Sequence, residues 1–235
     1  MSISKMSTNE LSMLQLSDSF FPTGMYATSS GLEALFYSNR KITDADGLRE
    51  MIKVYLECQL GPADCTALGN AYENAQRKDL QKLLEVDNKL FSLKLIEEVR
   101  SASTRSGTQI LKCVISFIPN NDIMNRYQEA IKQGRASGVY PVALAVISNT
   151  FGISKYSACL LMLYGFSVSL VGAALRLGTL QHFEGQRIIH ELKPIMSEAV
   201  EKNVDRPLTS ICQFAPDIDI LQMTHERMSS KMFIT

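Results

Sequence analysis

The run from Ala158 to Leu175, ACLLMLYGFSVSLVGAAL, carries no charge and restricts the fold more than any other part of the chain. A helix that long and that apolar either spans a bilayer or lies inside a large core. Ser167, Ser169, Gly165 and Gly172 lower its hydrophobicity, and no basic cluster flanks it to set a membrane orientation. The expectation is a buried central helix, about 158–177. Hydrophobic residues make up 46% and charged residues 20% of the 235, which is enough apolar material for a substantial core.

Elsewhere the pattern is helix after helix. Thr43-Asp44-Ala45-Asp46 reads as an N-cap with an acid behind it, and Leu48, Met51, Ile52, Tyr55, Gln59 and Leu60 follow at helical spacing. Gly61-Pro62 is expected to end that helix and start the next, with Asp64 at its positive end. Leu80 to Leu93 is helical, with Asp87-Asn88 a candidate break. The small polar stretch SASTRSG (101–107) marks either a close helix crossing or a short break. Pro119 to Asp122 is a loop with a cap, and Gly134 stops the helix after it. Val139 to Ile147 is β-branched, but Ala143 and Ala145 favour helix. Gln181 to Lys202 is a partly polar helix. With no linker, repeat or low-complexity stretch, the chain reads as all-α, a single-domain multi-helix bundle over 1–235. The segment from about 204 differs. It carries Pro207 and Pro216, then Met223, Met228, Met232 and Phe233 on one apolar side. Two readings stay open: a tail docked on its own core, or one mobile until a partner covers it.

Several functions are excluded by what the chain lacks. Formal net charge is zero with no Lys/Arg run, which argues against nucleic-acid binding. Cys58, Cys65, Cys113, Cys159 and Cys212 form no CxxC pair and read as reduced, buried thiols of a cytosolic protein. MSISKMSTNE has no apolar leader core. There is no GxxxxGK[ST] phosphate loop, no GxGxxG and no HExxH. His182 and His190 lie too far apart along one helix to share an ion without further ligands. A lone His225 beside Glu226 is weak support for a metal site, so none is expected.

Phe20-Phe21-Pro22-Thr23-Gly24 reads as a tight turn, with both aromatics packed down. Gly165 and Gly172 let another helix approach closely, within the bundle or across a dimer; the first is expected. Arg176-Leu177-Gly178 ends the apolar helix with a cation near its negative end and a glycine stop. Glu184, Gln186 and Arg187 continue a polar surface.

Four blocks in order resemble the UreF family of urease accessory proteins: LSDSFFPTGMYATSSGLE (16–33), GPAD (61–64) with SASTRSG, LVGAALRLGTLQHFEGQR (170–187) and FAPDIDILQMTHERMSSKMF (214–233). The resemblance implies an all-helical, non-catalytic, homodimeric scaffold in the cytoplasm. It would join UreD (also called UreH) and the GTPase UreG in delivering nickel to apo-urease, and would govern GTP hydrolysis. No cofactor would be bound directly, since nickel and GTP belong to the partners. Carried over by position, Pro22, Gly24, Glu33, Arg176, Gly178, Gln181, Gln186, Arg187, His225 and Glu226 are the partner-facing or interface-shaping residues. The chain departs from the family at Gly24-Met25-Tyr26, at Thr28-Ser29 and at Ser229 to Ile234. Two rival readings are a helical enzyme with a closed apolar pocket, which needs an acid, base or nucleophile facing it, and a membrane protein resting on 158–175.

Overall fold

A computed structural model of the chain describes residues 5–18, 20–38 and 44–235. The elements run α1 (Lys5–Ser17), α2 (Leu32–Tyr37), α3 (Ala45–Tyr55), a π-helical segment (Leu56–Cys65), α4 (Thr66–Gln76), α5 (Leu80–Leu93), α6 (Glu97–Phe117), α7 (Asp122–Lys132), α8 (Tyr140–Phe151), α9 (Lys155–Arg176), α10 (His182–Asn203) and α11 (Pro216–Glu226). No strand occurs among the described residues, so the fold is all-α as the sequence predicts.

Two apolar helices share the centre. In α8 every residue from Tyr140 to Ser148 is buried, because α4, α6 and α9 close around it. In α9 one side carries Ala158, Cys159, Met162, Leu163 and Ala173 into the core. The other side stays open, with Tyr156, Leu160, Tyr164 and Val168 each about two-fifths exposed at four-residue steps. Gly165 and Gly172 have no atom within 4 Å of where a Cβ would stand. They therefore mediate no close crossing inside the bundle, contrary to expectation. By length and composition α9 is able to cross a membrane, but 56% of its most apolar window is buried inside the protein.

Close crossings occur elsewhere. A Cβ on Gly107 would stand 2.1 Å from Gly138 O, so SASTRSG is a crossing point inside an unbroken α6 and not a break. Nor does Gly61-Pro62 interrupt the chain. The π-helical segment runs straight through it, with Pro62 inside it leaving one helix hydrogen bond unmade. Gly61 is needed there because a Cβ would meet Leu56 O at 2.7 Å and Asn203 Nδ2 at 2.9 Å.

Helix α5 likewise continues through Asp87. That side chain is fully buried and turned across to the 137–139 turn, where it accepts from the amides of Ser137 (2.6 Å) and Val139 (3.0 Å) and from the Tyr127 hydroxyl. Burial pushes the Asp87 carboxyl above its ordinary range against the pull of these donors. Asp44 caps α3 by accepting from Gly47 N at 2.9 Å; Thr43 lies outside the described residues. Of the cysteines, Cys65 and Cys159 are buried, Cys58 and Cys113 half-buried and Cys212 exposed, so the buried reading fails for the last. The segment after 204 is packed, with Ile211, Ile218, His225 and Phe233 all buried.

Candidate functional site

Three stretches far apart in sequence meet along the last turns of α9: the turn around 20–31, the helix end at Arg176, and residues 222–235. Asp18 builds the turn. Its Oδ1 accepts from Phe20 N at 2.8 Å and its carbonyl from Phe21 N at 2.9 Å. Phe21 is buried but Phe20 is 93% exposed, so the turn packs down one aromatic and presents the other, contrary to expectation. Pro22 is exposed, and Gly24 adopts φ +77° in open space to start a single 3₁₀ turn, Met25–Ala27. The Met25 carbonyl accepts from Ser169 Oγ (2.7 Å) and Thr28 Oγ1 (2.8 Å), which fixes the turn to α9. The tail closes over it: Ile234 N donates to Ala27 O (2.8 Å), and Ser29 N and Ser30 N donate to Thr235 O (2.6 and 3.1 Å).

Beneath this seam is a buried charge chain. Glu33, in the first turn of α2 and 1% exposed, accepts from Met232 N (2.6 Å), Phe233 N (3.1 Å) and His225 Nε2 (2.9 Å). His225 is fully buried, and its Nδ1 meets Glu98 at 2.7 Å. Both ring nitrogens thus face carboxylate oxygens, Nε2 that of Glu33 and Nδ1 that of Glu98. Lys231 pairs with the other oxygen of Glu98. Burial pushes the Glu33 carboxyl up, but the two amides and His225 outweigh it and hold Glu33 below the usual carboxylate value.

Phe233, held by this chain, forms one wall of a cation sandwich. The Arg176 guanidinium carbon lies 4.0 Å from the Tyr26 ring centre and 4.5 Å from that of Phe233. Its Nε donates to Gly172 O at 3.0 Å, capping the helix end. Its two terminal nitrogens have no partner among the described residues. Phe233 is buried, whereas Tyr26 is 69% exposed, and Met232 and Ile234 beside it are exposed too. The result is a planar fork held flat, its donor edge free, in apolar surroundings.

Of the other positions singled out from the sequence, only Glu226 touches this cluster, through Lys231. Gly178 takes φ +74° to end α9. Gln181 caps α10 through a reciprocal box with Glu184, whose Oε2 accepts from Gln181 N at 2.8 Å. Gln186 and Arg187 lie on the exposed face of α10, where Arg187 comes within 3.9 Å of Glu191. Glu226 contributes its carbonyl, which accepts from Lys231 Nζ at 3.1 Å. The sequence gives little warning of Glu98: Glu97-Glu98 reads as an ordinary acidic first turn.

A cavity of about 130 Å³ opens between the π-helical segment, α6 and α9. Asp64 and Lys94 line it as a buried ion pair at 2.8 Å. No histidine or cysteine lines it. Among the described residues, no group of three His, Cys, Asp or Glu side chains is placed to hold a metal ion.

Comparison with known proteins adds the family. The UreF family profile matches residues 42–193. The chain is 30% identical over 225 residues to the urease accessory protein UreF of Bacillus sp. (strain TB-90), an overlap of 96% of this chain and 98% of that protein. It is 29% identical over 226 residues to UreF of Trichodesmium erythraeum (strain IMS101), covering 96% and 97%. Against urease accessory protein UreF 1 of Brucella melitensis biotype 1 the identity is 31% over 225 residues, covering 95% and 92%. An all-α chain aligned nearly end to end with such proteins belongs to the UreF family of urease accessory proteins.

Proposed function

We propose that this chain is a cytoplasmic adaptor, with no catalysis of its own, that bridges UreD/UreH and the GTPase UreG while nickel is inserted into apo-urease, and that it modulates GTP hydrolysis by UreG. Nickel and nucleotide stay on the partners. The observation that carries the reading is the Arg176 fork: two rings hold it flat and leave its terminal N–H groups without a partner among the described residues, beside exposed Tyr26, Met232 and Ile234. Arginine and aromatics with a free hydrogen-bonding edge are the composition of an interface anchor. The open stripe of α9, Tyr156, Leu160, Tyr164 and Val168 with Gly165 and Gly172 beside it, is the surface this reading gives to a second copy of the chain.

Co-purification tests the adaptor. A tagged chain expressed with UreD and UreG of the same organism should retain both, and Arg176→Ala should weaken that retention at least about tenfold, as interface anchors do. The melting temperature should fall by only a few degrees, since two partly exposed cation–π contacts are worth about 1 kcal/mol each. Full retention by Arg176→Ala, or no capture by a folded wild-type chain, overturns the reading.

A further inference from the structure

The Arg176 sandwich also restricts what a partner brings to it, an inference that rests on the adaptor reading. Two rings cover the faces of the guanidinium, and its Nε donates to Gly172 O at 3.0 Å. Arginine takes a bidentate acceptor on either of two edges. The side edge, which uses Nε, is therefore closed. The end edge, formed by the two terminal nitrogens, has no partner among the described residues. Its two forward N–H bonds run parallel in one plane, the geometry that matches the two oxygens of a carboxylate.

Charge favours the same acceptor. The carboxylates of the seam are already engaged: Glu33 with His225 and two amides, Glu98 with His225 and Lys231. Arg176 makes no ion pair among the described residues. It stands in the last turn of α9, where the helix carbonyls present partial negative charge. Among the described residues no second cation stacks on either of its rings. A phosphate carries nearly two charges and is met in peptide recognition by clusters of arginines. A single arginine at a helix C-terminus suits a monoanion.

The rim points to an acid carried on a protein rather than a free small one. Tyr26, Met232 and Ile234 are exposed beside the fork. A carboxylate that stays in water gains little from one exposed cation. A surface that covers these three side chains excludes water from the pair and strengthens it. We propose that the Arg176 fork receives, end-on, the carboxylate of one Asp or Glu side chain of the partner protein, from a segment whose flanking apolar side chains cover Tyr26, Met232 and Ile234.

The test uses the full chain and whichever of UreD and UreG the wild type retains. Each exposed Asp and Glu of that partner is changed to its amide, and affinity is measured by interferometry against wild type and against Arg176→Gln, with circular dichroism confirming that every variant is folded. One partner acid should account for a loss of about tenfold against wild type and for no further loss against Arg176→Gln. Arg176→Lys, which keeps the charge without the fork, should bind more weakly than wild type and more tightly than Arg176→Gln. If Arg176→Gln weakens binding but no partner acid matters, or the two losses simply multiply, the carboxylate is overturned and the adaptor reading stands. Arg176→Lys binding as tightly as wild type overturns the bidentate fork, again without touching the adaptor. A folded wild-type chain that captures neither partner overturns both.

Discussion

Replacing Glu33 with glutamine isolates what the buried charge chain contributes. The carboxylate receives three hydrogen bonds, from His225, Met232 N and Phe233 N, at 1% exposure. Glutamine keeps the shape and one acceptor oxygen, but turns an NH₂ toward a donor and removes one of the two carboxylates that face the His225 ring. Removing one partner of a buried pair costs about 3–5 kcal/mol. Taking about 3 kcal/mol, since the amide retains part of the bonding, the melting temperature of a chain this size should drop by roughly 6–12 °C. The pH dependence checks the cause. Glu33 is held below its usual value of 4.5, so its stabilisation is fully present above that value. It is lost as pH falls through the lowered folded value. The gap between wild type and Glu33→Gln should thus be constant near neutrality and narrow below about pH 4.5. Denaturant unfolding followed by circular dichroism at pH 7, 5 and 3.5 measures it. Limited trypsin digestion gives an independent readout, since Arg227 and Lys231 should become cleavable when the tail is released. A difference under about 0.5 kcal/mol, or a gap unchanged by acid, refutes the reasoning.

Other expectations follow from the same geometry. Deleting residues 217–235 strips Glu33 of all three donors and uncovers Ile218 and Phe233 sites, so the remaining chain should melt at least as low as Glu33→Gln; an unchanged melting temperature refutes this. Asp87→Ala leaves the amides of Ser137 and Val139 and the Tyr127 hydroxyl unpaired, which should cost about 3 kcal/mol or more; urea unfolding within about 1 kcal/mol of wild type counts against it. Leu160→Asp on the open stripe of α9 should convert a dimer to a monomer in sedimentation velocity without lowering the melting temperature, and a persistent dimer removes that face from consideration.

Local signals predict local features well. Ser154 caps α9 by accepting from Ser157 N at 3.1 Å, and Asn121 caps α7 by accepting from Met124 N, where turn and cap residues stand in the sequence. Asp87 and Pro62 mislead because each is read as a breaker from its own propensity, while its fate is set by partners some fifty residues or a whole helix away. The site shows the same division. Glu33 and His225 are flagged separately by resemblance, yet 192 positions separate them and no periodicity links them. The Arg176 sandwich needs Tyr26 from one end and Phe233 from the other, and neither aromatic differs in its neighbourhood from an ordinary surface or core ring. Asp64 looks like a dipole complement until Lys94 is seen against it.

The seam between the turn and the tail has a consequence for truncated chains. Phe233 is held against Arg176 by a carboxylate, Glu33, that accepts from backbone groups 199 and 200 positions further along the chain. A chain without its last three residues keeps the cation, its bond to Gly172 O and the Tyr26 ring, but loses the Phe233 wall. Under the adaptor role proposed above, a chain short of residue 233 should therefore dock more weakly than the full one.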